Sequence, residues 1–296
     1  SNDTRLEVVT EGILTRMFHA HPDLPGVGLV IFDEFHERSI HADLGLAFAL
    51  DVQKHLREDL RLLVMSATLD GVAVARLLGD APVVESSGAA FSVETKYAHF
   101  VIDKPIEIRV ADVVSRALAA NEGDILVFLP GMREIRRTEE ELRKKLSEIV
   151  VVRPLHGELP RSGQDAALAP DKQGKRKVIL STSIAETSLT IDGVRIVVDS
   201  GLVRAARFDP RRGMSGLVTI PVSRAVADQR RGRAGRQSAG VCYRLWTESE
   251  HAQLSDYPVA EIRVADLAHV ALDLASWGDP TGEGLSFLDP PPSGNL

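Results

Sequence analysis

Val27-Gly-Leu-Val-Ile-Phe32 runs directly into Asp33-Glu34-Phe35-His36-Glu37-Arg38, and this stretch decides the reading of the fold. A short, near-continuous apolar run is the pattern of a parallel strand buried on both faces. Two adjacent carboxylates then mark its end. The arrangement recurs along the chain. Leu62-Leu-Val-Met65 runs into Ser66-Ala-Thr68, and Ile125-Leu-Val-Phe-Leu129 into Pro130-Gly131. Val178-Ile-Leu180 runs into Ser181-Thr-Ser183, and Ile196-Val-Val198 into Asp199-Ser-Gly201. Between these runs lie helical patterns rich in Arg, Glu and Leu, such as Arg133 to Leu146. Strand and helix in alternation predict an α/β fold with parallel sheets. In such sheets functional groups gather at the carboxyl ends of strands, where all five polar clusters fall.

The chain has 296 residues, a length for roughly two domains. The polar stretch Glu85–Ala90 separates two sheet patterns. The expected division is 1–92 for a first lobe, 93–257 for a second lobe, and 258–296 for the start of a helical or winged-helix region. Hydrophobic residues make up 44% of the chain, enough for a sizeable core. No apolar run approaches the roughly 18 residues of a membrane span, so no membrane partner is expected. No signal peptide is visible, and the single cysteine, Cys242, excludes an internal disulfide and a Cys-rich zinc site. Both fit a cytoplasmic setting. The formal net charge is −7, which taken alone argues against nucleic acid. Its distribution argues otherwise: Arg195 to Arg236 holds ten arginines against three acids. A solvated face is the ordinary reading of such a run, and the motifs within it favour phosphate binding.

Asp33 and Glu34 suit a magnesium–nucleotide site. Mg²⁺ keeps most of its waters, so one or two carboxylates can hold it through water, and a neighbouring carboxylate can take a proton from an attacking water. Gln229-Arg-Arg-Gly-Arg-Ala-Gly-Arg236 supplies arginines for the charge of a transferring phosphoryl group. Arg233 and Arg236 are three apart and would face one way at a helix start. Thr10 and Thr182 are short hydroxyls suited to phosphate oxygens or to helix capping, and Ser66 and Thr68 suit capping equally. Val203–Phe208 and Leu217–Ile220 flank a Pro/Gly turn and predict a hairpin over about 202–221. Its Arg204, Arg207, Arg211 and Arg212 would give it phosphate affinity.

Asp33-Glu34-x-His36, Ser66-Ala-Thr68, Ser181 to Thr190 and Gln229 to Arg236 together resemble the DEAH branch of superfamily-two helicases. Phe35 in the place of the usual Ala, Thr4 to Leu14, and Phe287-Leu-Asp-Pro-Pro291 resemble its bacterial HrpB subgroup. The resemblance implies two RecA-like parallel-sheet lobes, the first truncated, and ATP hydrolysis between them that drives translocation and unwinding. Asp33 and Glu34 would be the magnesium and water-activating pair, and His36 a link to the second lobe. Ser66 and Thr68 would couple hydrolysis to strand movement. Asp192 would reach the nucleotide, with Gln229, Arg233 and Arg236 at the γ-phosphate. Thr10, Glu11, Gly12, Gly131, Arg133 and Thr182 would contact the nucleic acid, with the hairpin helping to part strands. ATP and Mg²⁺ are the implied cofactors. Single-stranded or duplex nucleic acid is the implied partner, RNA by resemblance alone.

The family's Gly-x-x-x-x-Gly-Lys-[Ser/Thr] loop does not occur in these 296 residues, the nearest string being Gly174-Lys-Arg176. The expectation is that the chain alone has no appreciable ATPase activity. A non-catalytic nucleic-acid-binding module is the competing reading.

Overall fold

The computed structural model describes residues 4–67, 71–86, 91–100, 103–186, 191–209, 211–294 and 296. Its contacts divide the chain into two compact units. One comprises Ser1–Glu85, Ala206–Leu217 and Val259–Leu296; the other comprises Ser86–Ala205 and Val218–Pro258.

The first unit begins with helix α1 (Glu11–Ala20), strand β1 (Leu29–Phe32), helix α2 (Ile40–His55), strand β2 (Arg61–Val64) and helix α3 (Gly71–Leu77). Strands β1 and β2 pair in parallel, Leu29 against Arg61 through Phe32 against Val64. Ser39 caps α2, its hydroxyl accepting from the Ala42 amide at 3.1 Å, so α2 starts immediately after the motif that follows β1.

The second unit holds a six-stranded, all-parallel sheet. Its elements are β3 (Val93–Tyr97), α4 (Ile106–Ala120), β4 (Asp124–Phe128), α5 (Met132–Lys145), β5 (Val150–Leu155), α6 (Arg161–Leu168), β6 (Arg176–Ser181) and β7 (Val194–Asp199). The hairpin β8 (Leu202–Asp209) and β9 (Met214–Pro221) follows, then α7 (Arg224–Gly232), β10 (Gly240–Arg244) and α8 (Glu248–Gln253). The sheet order is β3-β10-β7-β4-β6-β5. Its central strands carry the apolar runs read from the sequence: Ile125, Leu126, Val127, Val178, Ile179, Leu180, Ile196, Val197 and Val198 are all buried. The α/β expectation with parallel sheets therefore holds.

Two strands lie outside the runs read from the sequence. Strand β3 carries Glu94, Thr95 and Lys96 in a row, and β5 contains Pro154; both sit at the edges of the sheet, where such residues are tolerated.

The tail groups with the first unit. Helix α9 (Ala268–Trp277) buries Val270 and Leu274 in the core formed by Phe18, Leu44 and Phe48. The Trp277 indole stacks on Phe48 at 4.2 Å and donates to Asp51 Oδ2 at 2.9 Å. Among the described residues, no helix is long and apolar enough to cross a membrane.

Candidate functional site

Strand β1 ends at Phe32, and the chain then makes a tight reversal. Glu34 adopts a left-handed conformation (φ 49°, ψ 35°), a single 3₁₀ turn spans Phe35–Glu37, and Arg38 is again left-handed (φ 51°, ψ 42°). A left-handed residue other than glycine costs about 1 kcal/mol or more, so two within five residues need strong support from their surroundings. The support is visible. The Phe35 amide donates to the Met65 carbonyl at 3.0 Å, the Met65 amide donates back to Phe32 at 2.8 Å, and the Phe35 ring is buried edge-on to Phe32. Asp33 Oδ1 accepts from the Glu34 amide at 2.8 Å. His36 is buried, with Nδ1 3.4 Å from Glu34 Oε2 and the Ala67 amide pointing at the same nitrogen at 3.4 Å. The imidazole thus touches both the carboxylate turn and the segment after β2. Ser66 lies in that segment and is exposed, whereas Thr68 lies outside the described residues.

Among the described residues no group of three or more His, Cys, Asp or Glu side chains forms a metal cage. An exposed Asp33 beside a half-buried Glu34 fits the alternative, a magnesium ion held mainly by water and nucleotide phosphate.

In the second unit, the carboxyl ends of β6, β4 and β7 are in register, Ser181 beside Phe128 and Phe128 beside Asp199. That registry puts Thr182 and the Gly131–Arg133 segment on neighbouring strand ends. Gly131 caps α5 in extended conformation, and a Cβ there would lie 3.0 Å from Arg204 Nε, at the end of a flexible side chain. Arg133 is exposed on the first turn of α5. Thr182 occupies the cap position of a 3₁₀ turn and Thr10 that of α1, yet neither side chain makes a capping hydrogen bond. The capping reading of both threonines is therefore not realised. Glu11 accepts from the Ser39 hydroxyl at 2.5 Å, and Gly12 faces the His41 ring with ordinary clearance. Arg204 and Arg207 are exposed on β8, and Arg204 lies 4.0 Å from Glu134.

The arginine motif differs from its sequence reading. Arg233 begins a 3₁₀ turn that closes α7, so the pair lies at a helix end and not at a helix start. Arg233 is buried, its guanidinium bonded to the Glu186 carbonyl, while Arg236 is exposed. Gln229 is half-buried on α7. Asp192 is exposed and accepts from Gln237 Nε2 at 2.6 Å.

The cationic run is also less uniform than its count suggests. Arg230 is fully buried, with Nη1 2.7 Å from Asp199 Oδ1 and Nε 2.7 Å from Glu186 Oε1, and it packs over the Phe128 ring. Burial works against its charge, but Asp199 and Glu186 outweigh this and hold the guanidinium protonated. Sequence reasoning grouped Arg230 with phosphate ligands. Its partners were within the quoted motifs, but nothing in the spacing distinguishes a buried arginine from an exposed one. Sequence reasoning likewise missed the buried pair of Arg38 and Asp43.

A parallel α/β unit with motifs at its strand ends, and a separate unit carrying Asp-Glu-x-His on a strained turn, are the features of a RecA-like fold. The helicase conserved C-terminal domain family matches residues 109–238. The ATP-dependent RNA helicase HrpB of Escherichia coli (strain K12) is 47% identical over 294 residues, 99% of this chain and 36% of that protein. The probable ATP-dependent RNA helicase DHX34 of Mus musculus is 38% identical over 311 residues, 99% of this chain and 27% of that protein. The crystal structure of the E. coli DExH-box NTPase HrpB superposes with a TM-score of 0.92 at 47% identity, covering 100% of this chain and 37% of that one. A crystal structure of the Escherichia coli DEAH/RHA helicase HrpB gives 0.90 at 47% identity, covering 99% and 37%. The chain is similar to these helicases over nearly its whole length, and it spans about a third of the length of these relatives.

Proposed function

We propose that the protein containing this chain is an ATP-dependent RNA helicase, and that the chain supplies the water-activating group and the second lobe of its motor. The observation that carries this reading is the turn at 33–38, where a strand end, a strained backbone and a buried histidine converge on Glu34. In the proposed mechanism Glu34 orients the attacking water and accepts its proton. His36, through Nδ1, links Glu34 to the Ala67 amide beside Ser66. Mg²⁺ held through water at Asp33 would neutralise phosphate charge. Asp192, Gln229, Arg233 and Arg236 act on the nucleotide, the two arginines stabilising charge that develops on the γ-phosphoryl group. Thr10, Glu11, Gly12, Gly131, Arg133 and Thr182 hold the nucleic-acid backbone. Arg204 and Arg207 on the hairpin add phosphate contacts where strands part. A cytoplasmic setting accompanies this reading.

The 296-residue chain by itself does not turn over ATP in this account, because its sequence contains no Gly-x-x-x-x-Gly-Lys-[Ser/Thr] cradle. The test compares this chain with the longer protein that contains it. ATP turnover by the longer protein, stimulated by single-stranded RNA and accompanied by displacement of a paired strand, supports the proposal. RNA binding without turnover in the longer protein identifies a non-catalytic binding module, and RNA-stimulated turnover by the 296 residues overturns the assignment of inactivity.

A further inference from the structure

The segment Phe287-Leu-Asp-Pro-Pro291 takes no part in the mechanism above, yet its aspartate reaches the catalytic turn. Arg38, the left-handed residue that closes the turn after Asp33-Glu34-Phe35-His36, is buried and forms a fork on Asp43, Nε to Oδ1 at 3.0 Å and Nη2 to Oδ2 at 3.2 Å. The same Nη2 donates to Asp289 Oδ2 at 2.8 Å. Arg263 donates to the other Asp289 oxygen at 3.2 Å, so the tail carboxylate is oriented from both sides. The tail holds the backbone as well. The Glu261 amide donates to the Arg38 carbonyl at 3.1 Å, and Glu261 Oε2 accepts from the Ile40 amide at 3.0 Å. The Arg38 guanidinium also lies over the Phe35 ring, 5.8 Å from its centre.

We propose that Asp289 and Arg38 are positioning residues for hydrolysis: the tail, through Asp289, locks Arg38 and so fixes the left-handed turn that aims Glu34. Arg38 is four residues from Glu34, with one 3₁₀ turn between, so any rotation at Arg38 is carried into Phe35 and Glu34. Asp43 alone leaves the guanidinium anchored at its inner edge. Asp289 adds a second acceptor at Nη2 and ties the turn to the tail. The inference rests on Glu34 as the water-activating group.

The experiment uses the full-length protein that contains the chain. Asp289→Asn keeps the shape and removes the charge. It should lower kcat for RNA-stimulated ATP hydrolysis about tenfold, the order expected of a modest misplacement of a catalytic group. KM for ATP and the Kd for single-stranded RNA should stay within twofold, and Asp289→Glu should recover part of the loss. An unchanged kcat, or a fall in the unfolding temperature with kcat intact, overturns the proposal. Should Asp289→Asn not fold, Arg263→Gln at the more exposed partner should lower kcat about threefold, and no change in kcat there overturns it equally. Glu34→Gln, measured in parallel, separates the two claims: retained turnover in that variant refutes the role of Glu34, whatever Asp289 does.

Discussion

Replacing Arg230 by methionine tests a fully buried charge in the second unit. The side chain is fully buried and pairs with Asp199, also fully buried, and with Glu186. Methionine fills much of the volume and still packs over Phe128. It leaves two carboxylates without their cation, and removing one partner of a buried ion pair costs about 3–5 kcal/mol. At about 2–4 °C per kcal/mol for a domain of this size, the unfolding temperature should drop by roughly 6–20 °C. The chain has two tryptophans, Trp246 in the second unit and Trp277 in the first. In a Trp277→Phe background, Trp246 fluorescence therefore reports the second unit alone. Adding Glu186→Met and Asp199→Leu to Arg230→Met should recover most of the loss, since a buried ionic group replaced as a whole by apolar residues of similar volume is often nearly neutral. A loss below about 1 kcal/mol for Arg230→Met, or no recovery in the triple variant, would refute this account of Arg230 as a structural cation.

Three further outcomes follow from the same geometry. Burial raises the Cys242 thiol to about 12, so it should resist alkylation at pH 8 in the folded chain and react at the rate of unfolding; rapid labelling of native protein would contradict this. A Cβ on Gly240 would lie 2.4 Å from the Ala234 carbonyl and 2.5 Å from that of Arg195. Gly240→Ala should therefore destabilise the second unit by about 2 kcal/mol or more in urea unfolding, an overpacking cost; a neutral effect would show that the two carbonyls can give way. Burial raises the Asp289 carboxyl, but the hydrogen bonds from Arg38 and Arg263 outweigh it and hold the group below its ordinary value. A depressed carboxylate contributes stability that is complete above its unfolded value of about 3.9 and is lost as pH falls through the folded value. In a Trp246→Phe background, the stability difference made by Asp289→Asn, followed by Trp277 fluorescence, should be present at pH 6 and shrink below about pH 4; a difference that grows on acidification would reverse the sign.

The central strands were legible because burial on both faces demands unbroken Val, Ile and Leu, as in Ile125–Leu129 and Val178–Leu180. The edge strands β3 and β5 were not, since an edge tolerates polar residues and Pro154. The position of Asp33-Glu34-x-His36 just after a strand was legible, because an unbroken apolar run precedes it. The site was illegible where roles depend on burial. Ten arginines between Arg195 and Arg236 look alike in sequence, yet Arg230 is buried in an ion-pair network, Arg233 bonds a carbonyl, and Arg236 is exposed. Pairings across long separations were equally hidden. Arg38 and Asp289 are 251 residues apart, and neither the helical nor the strand period links them.

The central claim is that the strained turn after β1 exists to present Glu34 to water. Glu34→Gln in the full-length protein tests it most directly, because the amide keeps the size and removes the base. The account predicts loss of RNA-stimulated ATP turnover by about a hundredfold or more, within the range assigned to general-base catalysis, with ATP and RNA binding retained. Turnover within threefold of the unaltered protein would contradict it.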